Sequence, residues 1–228
     1  MTRPPWRCPP WVPVVLLVAT VGQLAVAQWW PGIDRFADKA FGARLVLYPV
    51  LMLLAPVLWR VVVGRRHPGA RPPFGAFALV MAPFLVDVTG NSLDLYDTVV
   101  WWDDANHYVN WLLLLGGIGL LVTDRVEPPW AVVALVAGLG AVLAIGWELG
   151  EWYTFIRQGT ELGSAYEDTL GDLTLGTLGA TTAGLLVVWS RGRRRPPGTA
   201  TDEGLSPGSP PAAGGPGRRG RRRRPGAH

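Results

Sequence analysis

The chain has 228 residues, of which 49% are hydrophobic, and its mean hydropathy is +0.23. A soluble domain of this size could not hide so much apolar surface in one core, so the composition favours a bilayer as the solvent. The net charge of +4 is regional, because ten of the 21 Lys and Arg residues follow Trp189. The single cysteine, Cys8, excludes an internal disulfide framework and a cysteine-based metal site.

Six apolar stretches predict six transmembrane helices, since most reach the roughly 20 residues that cross about 30 Å of hydrocarbon. In chain order they cover 11–30, 43–63, 74–95, 107–123, 130–153 and 170–189. The third and fourth have short apolar cores and polar outer ends, so we expect those ends to face protein or water. The predicted fold class is all-α: a polytopic transmembrane helical bundle over 1–190, followed by a disordered tail rich in Arg, Pro and Gly over 191–228.

The basic residues predict the orientation of this bundle. With the N-terminus inside, seventeen Lys and Arg residues fall in cytoplasmic segments and four fall outside, which places both termini in the cytoplasm. An alternative for the first helix is a signal peptide cleaved at the Ala25-Val26-Ala27 pattern, which would leave the downstream orientation unchanged. The abundance of Ala, Gly, Pro and Arg beside a single Lys is typical of a high-GC bacterium, so the predicted location is a bacterial inner membrane.

The tail carries two arginine clusters separated by Pro, Gly, Ala and Ser. We expect these clusters to attract anionic lipids of the inner leaflet. Nucleic acid is not an expected partner, because no aromatic residues lie between the arginines to stack on bases.

Acidic and amide residues recur at helical spacing near the predicted outer ends of four helices, and 13 of the 17 Asp and Glu residues lie on that side. On the third helix Asp87, Asn91 and Asp94 stand at i, i+4 and i+7, so we expect them to share one face. The other members of this polar set are Asp97, Asp103, Asp104, His107, Asn110, Glu148, Glu151, Asp168 and Asp172, with Glu167 alongside.

Small residues continue the same faces toward the bundle interior. These are Gly117, Gly146, Gly150, Gly176 and Gly179. Since small residues let transmembrane backbones approach closely, we expect them to mark helix contacts.

Five members of the polar set are the predicted metal ligands: His107, Glu148, Glu151, Asp168 and Asp172. Imidazole and carboxylates without a thiolate favour a divalent Mg, Mn, Fe or Zn ion. Glu148 and Asp172 are also the candidate catalytic residues. The competing interpretation is a hydrated acidic rim in which His107 only caps the fourth helix.

Several enzyme signatures are missing from the chain. There is no G-x-S-x-G nucleophile elbow, no H-E-x-x-H metal motif and no G-x-x-x-x-G-K-[ST] phosphate loop. A serine hydrolase or an ATPase is therefore disfavoured.

Three segments between Tyr96 and about Leu186 resemble a known family: YDTVVWWDDANHYVNWLLLL, GWELGEWYTF and YEDTLGDLTLGTLGA. They resemble uncharacterised bacterial inner-membrane proteins typified by YjdF and, more distantly, VanZ-like proteins. The matching positions are Asp97, His107, Glu148, Glu151, Trp152, Asp168 and Asp172. The resemblance implies a small polytopic helical bundle and implies no established activity.

Two classes of function remain open besides a non-catalytic membrane factor. One is a metal-dependent hydrolase or transferase acting on a lipid head group or an envelope precursor. The other is a transporter in which the same carboxylates bind a cation or relay protons. The sequence does not name a substrate.

Overall fold

The fold is helical in the computed structural model, which describes residues 8–30, 36, 39–154, 156–158 and 163–193 and has no strand in those ranges. The helices are α1 (Trp11–Trp29), α2 (Phe41–Trp59), α3 (Phe74–Ser92), α4 (Leu95–Thr98), α5 (Trp102–Val122), α6 (Pro129–Thr154) and α7 (Ala165–Gly192). A π-helical turn, Arg60–Gly64, continues α2. Residues 194–228 lie outside the described residues, so the disorder of the tail stays a prediction.

Every helix except α4 is long and apolar enough to cross a membrane, which confirms the six predicted spans and the all-α class. The chain is therefore a multi-pass membrane protein in contact with the lipid bilayer. The fourth and sixth spans begin earlier than predicted, at Trp102 and Ala165, because their first turns are acidic rather than apolar. Acidic residues suit the positive end of the helix dipole, so these turns are helical although hydropathy does not reveal them.

Two groups of three helices each surround a core of their own. In one group, α1, α2 and α3 bury Leu24, Tyr48 and Val88, while in the other α5, α6 and α7 bury residues that include Leu115 and Val136. The contact between α3 and α5 joins the groups. The bundle thus has a seam between two packed halves.

Because successive spans alternate in direction, the starts of α2, α5 and α7 lie beside the ends of α1, α3 and α6. We call this the acidic end of the bundle. At the opposite end, Arg191 donates hydrogen bonds to the side chain of Thr123 and to the carbonyl oxygen of Val126, at 3.3 Å for the latter. Thr123 is fully buried, so the hydrogen bonds of Arg191 connect the end of α7 to the segment between α5 and α6.

Candidate metal centre at the acidic end

Four predicted ligands from three helices meet at the acidic end: His107 of α5, Glu148 and Glu151 of α6, and Asp172 of α7. One ligand atom from each lies within 4.8 Å of all the others. A cation bonded at about 2.0–2.3 Å keeps its ligand atoms about 3–4.6 Å apart, so a small contraction would close these four around one ion. We call these four residues the metal group.

Local geometry explains why these side chains meet. Glu148 and Glu151 stand at i and i+3, so both project from one face near the end of α6. One turn deeper than His107 and Asp172, Trp111 of α5 packs on Gly176 of α7, where a Cβ would lie 2.8 Å from the indole ring. This close contact aligns the two helices, and it places Asp172 Oδ1 3.4 Å from His107 Nε2.

The metal group is largely withdrawn from solvent. Asp172 is 3% exposed, Glu148 is 7% exposed and His107 is 8% exposed. His107 is the sixth residue of α5, so the interpretation of this side chain as a helix cap is wrong. One ring nitrogen of His107, Nδ1, is buried, and no group in the described part of the chain hydrogen-bonds to it.

The carboxylates of the metal group have no Lys or Arg partner among the described residues, whose Lys and Arg ion pairs involve Asp87, Asp94 or Asp97. Neutral side chains approach them instead, Thr169 near Glu148 and Trp147 near Glu151. Carboxylates buried together repel one another and lose hydration, so a cation or protons must supply the missing positive charge.

A second group of possible ligands shares one member with the first. Asp103, Asp168 and Asp172 also bring one carboxylate oxygen each within 4.8 Å of one another. Asp168 is exposed and Asp103 is partly exposed, and Asp103 lies 3.6 Å from His107 Nε2. The structure thus places the predicted ligand Asp168 on the open side of Asp172, outside the metal group.

Asp87 belongs to a separate network, although the sequence grouped it with the site. Its carboxylate accepts hydrogen bonds from Arg44 at 2.5 Å, from Tyr96 at 2.9 Å, from Asn91 at 3.2 Å and from Tyr48. Arg44 is not a member of the predicted polar set. Its position near the start of an apolar span is the sequence signal that could have indicated a pair with a membrane carboxylate.

Burial and the Asp87 carboxylate raise the pKa of Tyr96 well above its ordinary value, so its hydroxyl stays a hydrogen-bond donor. Asn106, which sequence reasoning missed, is 7% exposed and donates a hydrogen bond to the Tyr96 hydroxyl. Asn110 donates in turn to Asn106 at 2.8 Å. Tyr96 therefore connects the Asp87 network to α5.

Asp94 does not share a helical face with Asp87 and Asn91, which corrects the predicted i, i+4, i+7 pattern. The α3 helix ends at Ser92, and Asp94 has a left-handed backbone with φ of 64°. Its carboxylate accepts a hydrogen bond from Lys39 at 2.6 Å, and the exposed Asp97 accepts another at 2.7 Å. Burial opposes the charge of Lys39, but these two carboxylates outweigh it and raise the pKa of Lys39. The remaining predicted member, Asp104, is exposed.

A family described as Predicted membrane protein (DUF2238) matches residues 14–193, a range that includes the whole polar set. The chain belongs to this family. The match confirms the expected membership of an uncharacterised membrane protein family, and its description names neither YjdF nor the VanZ-like proteins. No curated protein and no solved structure matches the chain.

Proposed function

We propose that this member of the DUF2238 family binds a divalent metal ion in its metal group and acts as a hydrolase or transferase on a membrane lipid or an envelope precursor. The proposal is supported by one observation above all. His107, Glu148, Glu151 and Asp172 converge from three helices to within 4.8 Å, and no Lys or Arg side chain in the described part of the chain pairs with these carboxylates.

The donor set indicates which metals fit. One imidazole and three carboxylates without a thiolate favour Mg, Mn, Fe or Zn, with Asp168 as a further ligand on the open side. When bound, the ion would supply a Lewis acid that polarises a phosphoryl or carbonyl oxygen, or that makes a water more acidic. Glu148 and Asp172 are the proposed catalytic residues, since a ligating carboxylate has a second oxygen that can accept a proton from water.

We place the metal group on the outer side of a bacterial inner membrane, with both termini in the cytoplasm. The excess of seventeen basic residues over four on the opposite side supports this orientation. In this arrangement the arginine-rich tail lies beside the anionic inner leaflet and contributes to membrane association.

Transport of a cation or of protons is the weaker alternative. Below the metal group, α5, α6 and α7 carry no Asp, Glu, Lys, Arg or His until Arg191, near the opposite end of α7. The intervening space is an apolar core that includes Leu115 and Ala180, both 0% exposed. A relay across the membrane would therefore have no charged group to use in this half of the bundle.

The test is metal-dependent turnover of lipids by the full chain in nanodiscs of bacterial polar lipids. Mass spectrometry would follow released head groups with Mg, Mn, Fe or Zn present or after chelation. We expect product from the wild type and from Asp104→Asn, a matched control that removes an exposed carboxylate three residues before His107.

The variants His107→Ala and Glu148→Gln should yield no product. Turnover that survives both substitutions and chelation would refute a catalytic metal. Metal binding without turnover of any lipid would favour the non-catalytic membrane factor.

A further inference from the structure

A cleft of about 250 Å³ opens between the first half of α2 and the last two turns of α6. Leu47 and Leu51 line it on α2, and Gly146 and Gly150 line it on α6. The two glycines were predicted to mark a helix contact, but a Cβ at either would meet no atom of the described residues within 4 Å. The two glycines therefore leave open space in the seam between the two halves of the bundle. The prediction that they mark a helix contact is wrong.

Trp147 shows that the cleft follows this seam. Its side chain lines the cleft and packs against the buried clusters of both helix groups. On either side the helices present apolar side chains outward: Val50 is 59% exposed and Leu149 is 63% exposed. In spanning helices such surfaces face lipid tails, so the cleft opens into the hydrocarbon of the bilayer.

The acidic end of the cleft is polar. Glu151 belongs both to the cleft wall and to the metal group, so the two are continuous. Arg44 also lines the cleft, and its hydrogen bonds to Asp87 and Tyr48 both use Nη1. No described residue hydrogen-bonds to Nη2 or Nε, so their N–H groups are left for an anion. Phosphate oxygens are common partners of a guanidinium.

We propose that this cleft binds a phospholipid of the surrounding bilayer, with one acyl chain between α2 and α6 and its phosphate between Arg44 and the metal group. The apolar walls match the chain, and the guanidinium beside a cation site matches the phosphate. The position of the phosphate rests on the proposed metal centre, whereas the binding of the acyl chain does not.

The test uses phosphatidylglycerol with a photoactivatable diazirine on one acyl chain, in nanodiscs that contain the full-length protein. Mass spectrometry would identify the labelled peptides. We expect wild-type label in the α2 and α6 residues that line the cleft, from Ala43 to Leu51 and from Gly146 to Thr154. Gly150→Leu and Gly146→Leu each fill the cleft and should reduce this label about tenfold, equivalent to about 1.4 kcal/mol of binding free energy.

Gly138→Leu is the matched control, because it lies on α6, has nothing within 4 Å of its Cβ and does not line the cleft. It should leave the label unchanged, and the thermal melting of all three variants shows whether each is folded. Equal labelling in folded Gly150→Leu and Gly138→Leu, or label spread evenly over all spans, would overturn the proposal.

Metal binding and acyl-chain binding can be measured independently in the same samples. His107→Ala should lose any stabilisation by Mn or Zn and keep the acyl-chain label. If the wild-type protein is labelled in the cleft but no metal stabilises it, the result would support the lipid site and refute the proposed function.

Discussion

Asp87 is a membrane carboxylate that is stabilised by its neighbours. Its side chain is 13% exposed and that of Arg44 is 15% exposed, and Tyr48 and Tyr96 complete the hydrogen bonding. The ion pair between Arg44 and the fully hydrogen-bonded Asp87 carboxylate holds α2 against α3 at the acidic end. This network has a structural role, in contrast to the carboxylates of the metal group, which have no Lys or Arg partner among the described residues.

Asp87→Asn should destabilise the protein strongly. It leaves Arg44 buried without a counter-charge, and breaking a buried ion pair from one side typically costs about 3 kcal/mol or more. The measurement is the midpoint of unfolding of purified protein in a denaturing detergent. The double variant Arg44→Gln with Asp87→Asn should be more stable than the single variant, because no buried charge is left without a counter-charge. A single variant as stable as the wild type would show that the ion pair contributes little.

Single ligand changes should separate metal binding from folding. We expect added Mn or Zn to raise the melting temperature of the wild type, since an ion that binds only the folded state at 100 times its Kd adds about 2.7 kcal/mol. His107→Ala and Glu148→Gln should remain inserted and show no such shift, whereas Asp104→Asn should respond like the wild type. Equal shifts in all four proteins, or none in any, would favour the hydrated acidic rim.

Among the helices, glycines set the register that brings the ligands together. A Cβ at Gly117 would lie 2.7 Å from the carbonyl oxygen of Ala76, where α5 meets α3. At Gly176 and Gly179 of α7 it would meet the Trp111 ring and the carbonyl oxygen of Tyr108 on α5. These three glycines confirm the expected role of small residues in close helix contacts.

Gly179→Ala should push α7 away from α5, because the obstacle is a backbone carbonyl that cannot turn aside. The expected result is a lower unfolding midpoint and weaker metal stabilisation, since Asp172 lies two turns before Gly179 on α7 and His107 directly precedes Tyr108 on α5. Gly146→Ala is the matched control, because its Cβ would enter open space. If the two variants were equally stable and equally responsive to metal, the glycine contacts would not determine the site.

The number and approximate length of the spans could be predicted because each depends on local hydropathy. The ends of the helices were harder to predict. The acidic first turns of α5 and α7 resemble loops by composition, and the left-handed backbone of Asp94 interrupts a spacing that looked helical. Local patterns therefore specify the helices better than their termini.

The partners of the polar residues could not be read from spacing. Arg44 and Asp87 are 43 residues apart, and Gln23 meets Thr89 across 66 residues. Nor could spacing tell that Gly176 faces another helix while Gly146 faces a cleft. Helical periodicity identifies residues on one face, but the packing of the whole bundle decides what that face meets.

For the whole molecule, the distribution of charge predicts the orientation. Reporter fusions at Arg65, Arg125 and Gly198 should report the cytoplasm, and fusions at Thr98 and Leu162 should report the outside. Paired cytoplasmic and periplasmic reporters at each position serve as mutual controls. A periplasmic reporter signal at Gly198 would invert the molecule and move the metal group to the cytoplasmic side.

The most direct test of the metal centre is elemental analysis of protein purified in nanodiscs through a tag without histidine. The wild type should contain a stoichiometric amount of Mg, Mn, Fe or Zn, and the double variant His107→Ala with Glu148→Gln should contain none above background. Asp104→Asn should match the wild type. The same metal content in the wild type and the double variant, or no metal in a wild-type protein reconstituted with each ion, would contradict the account.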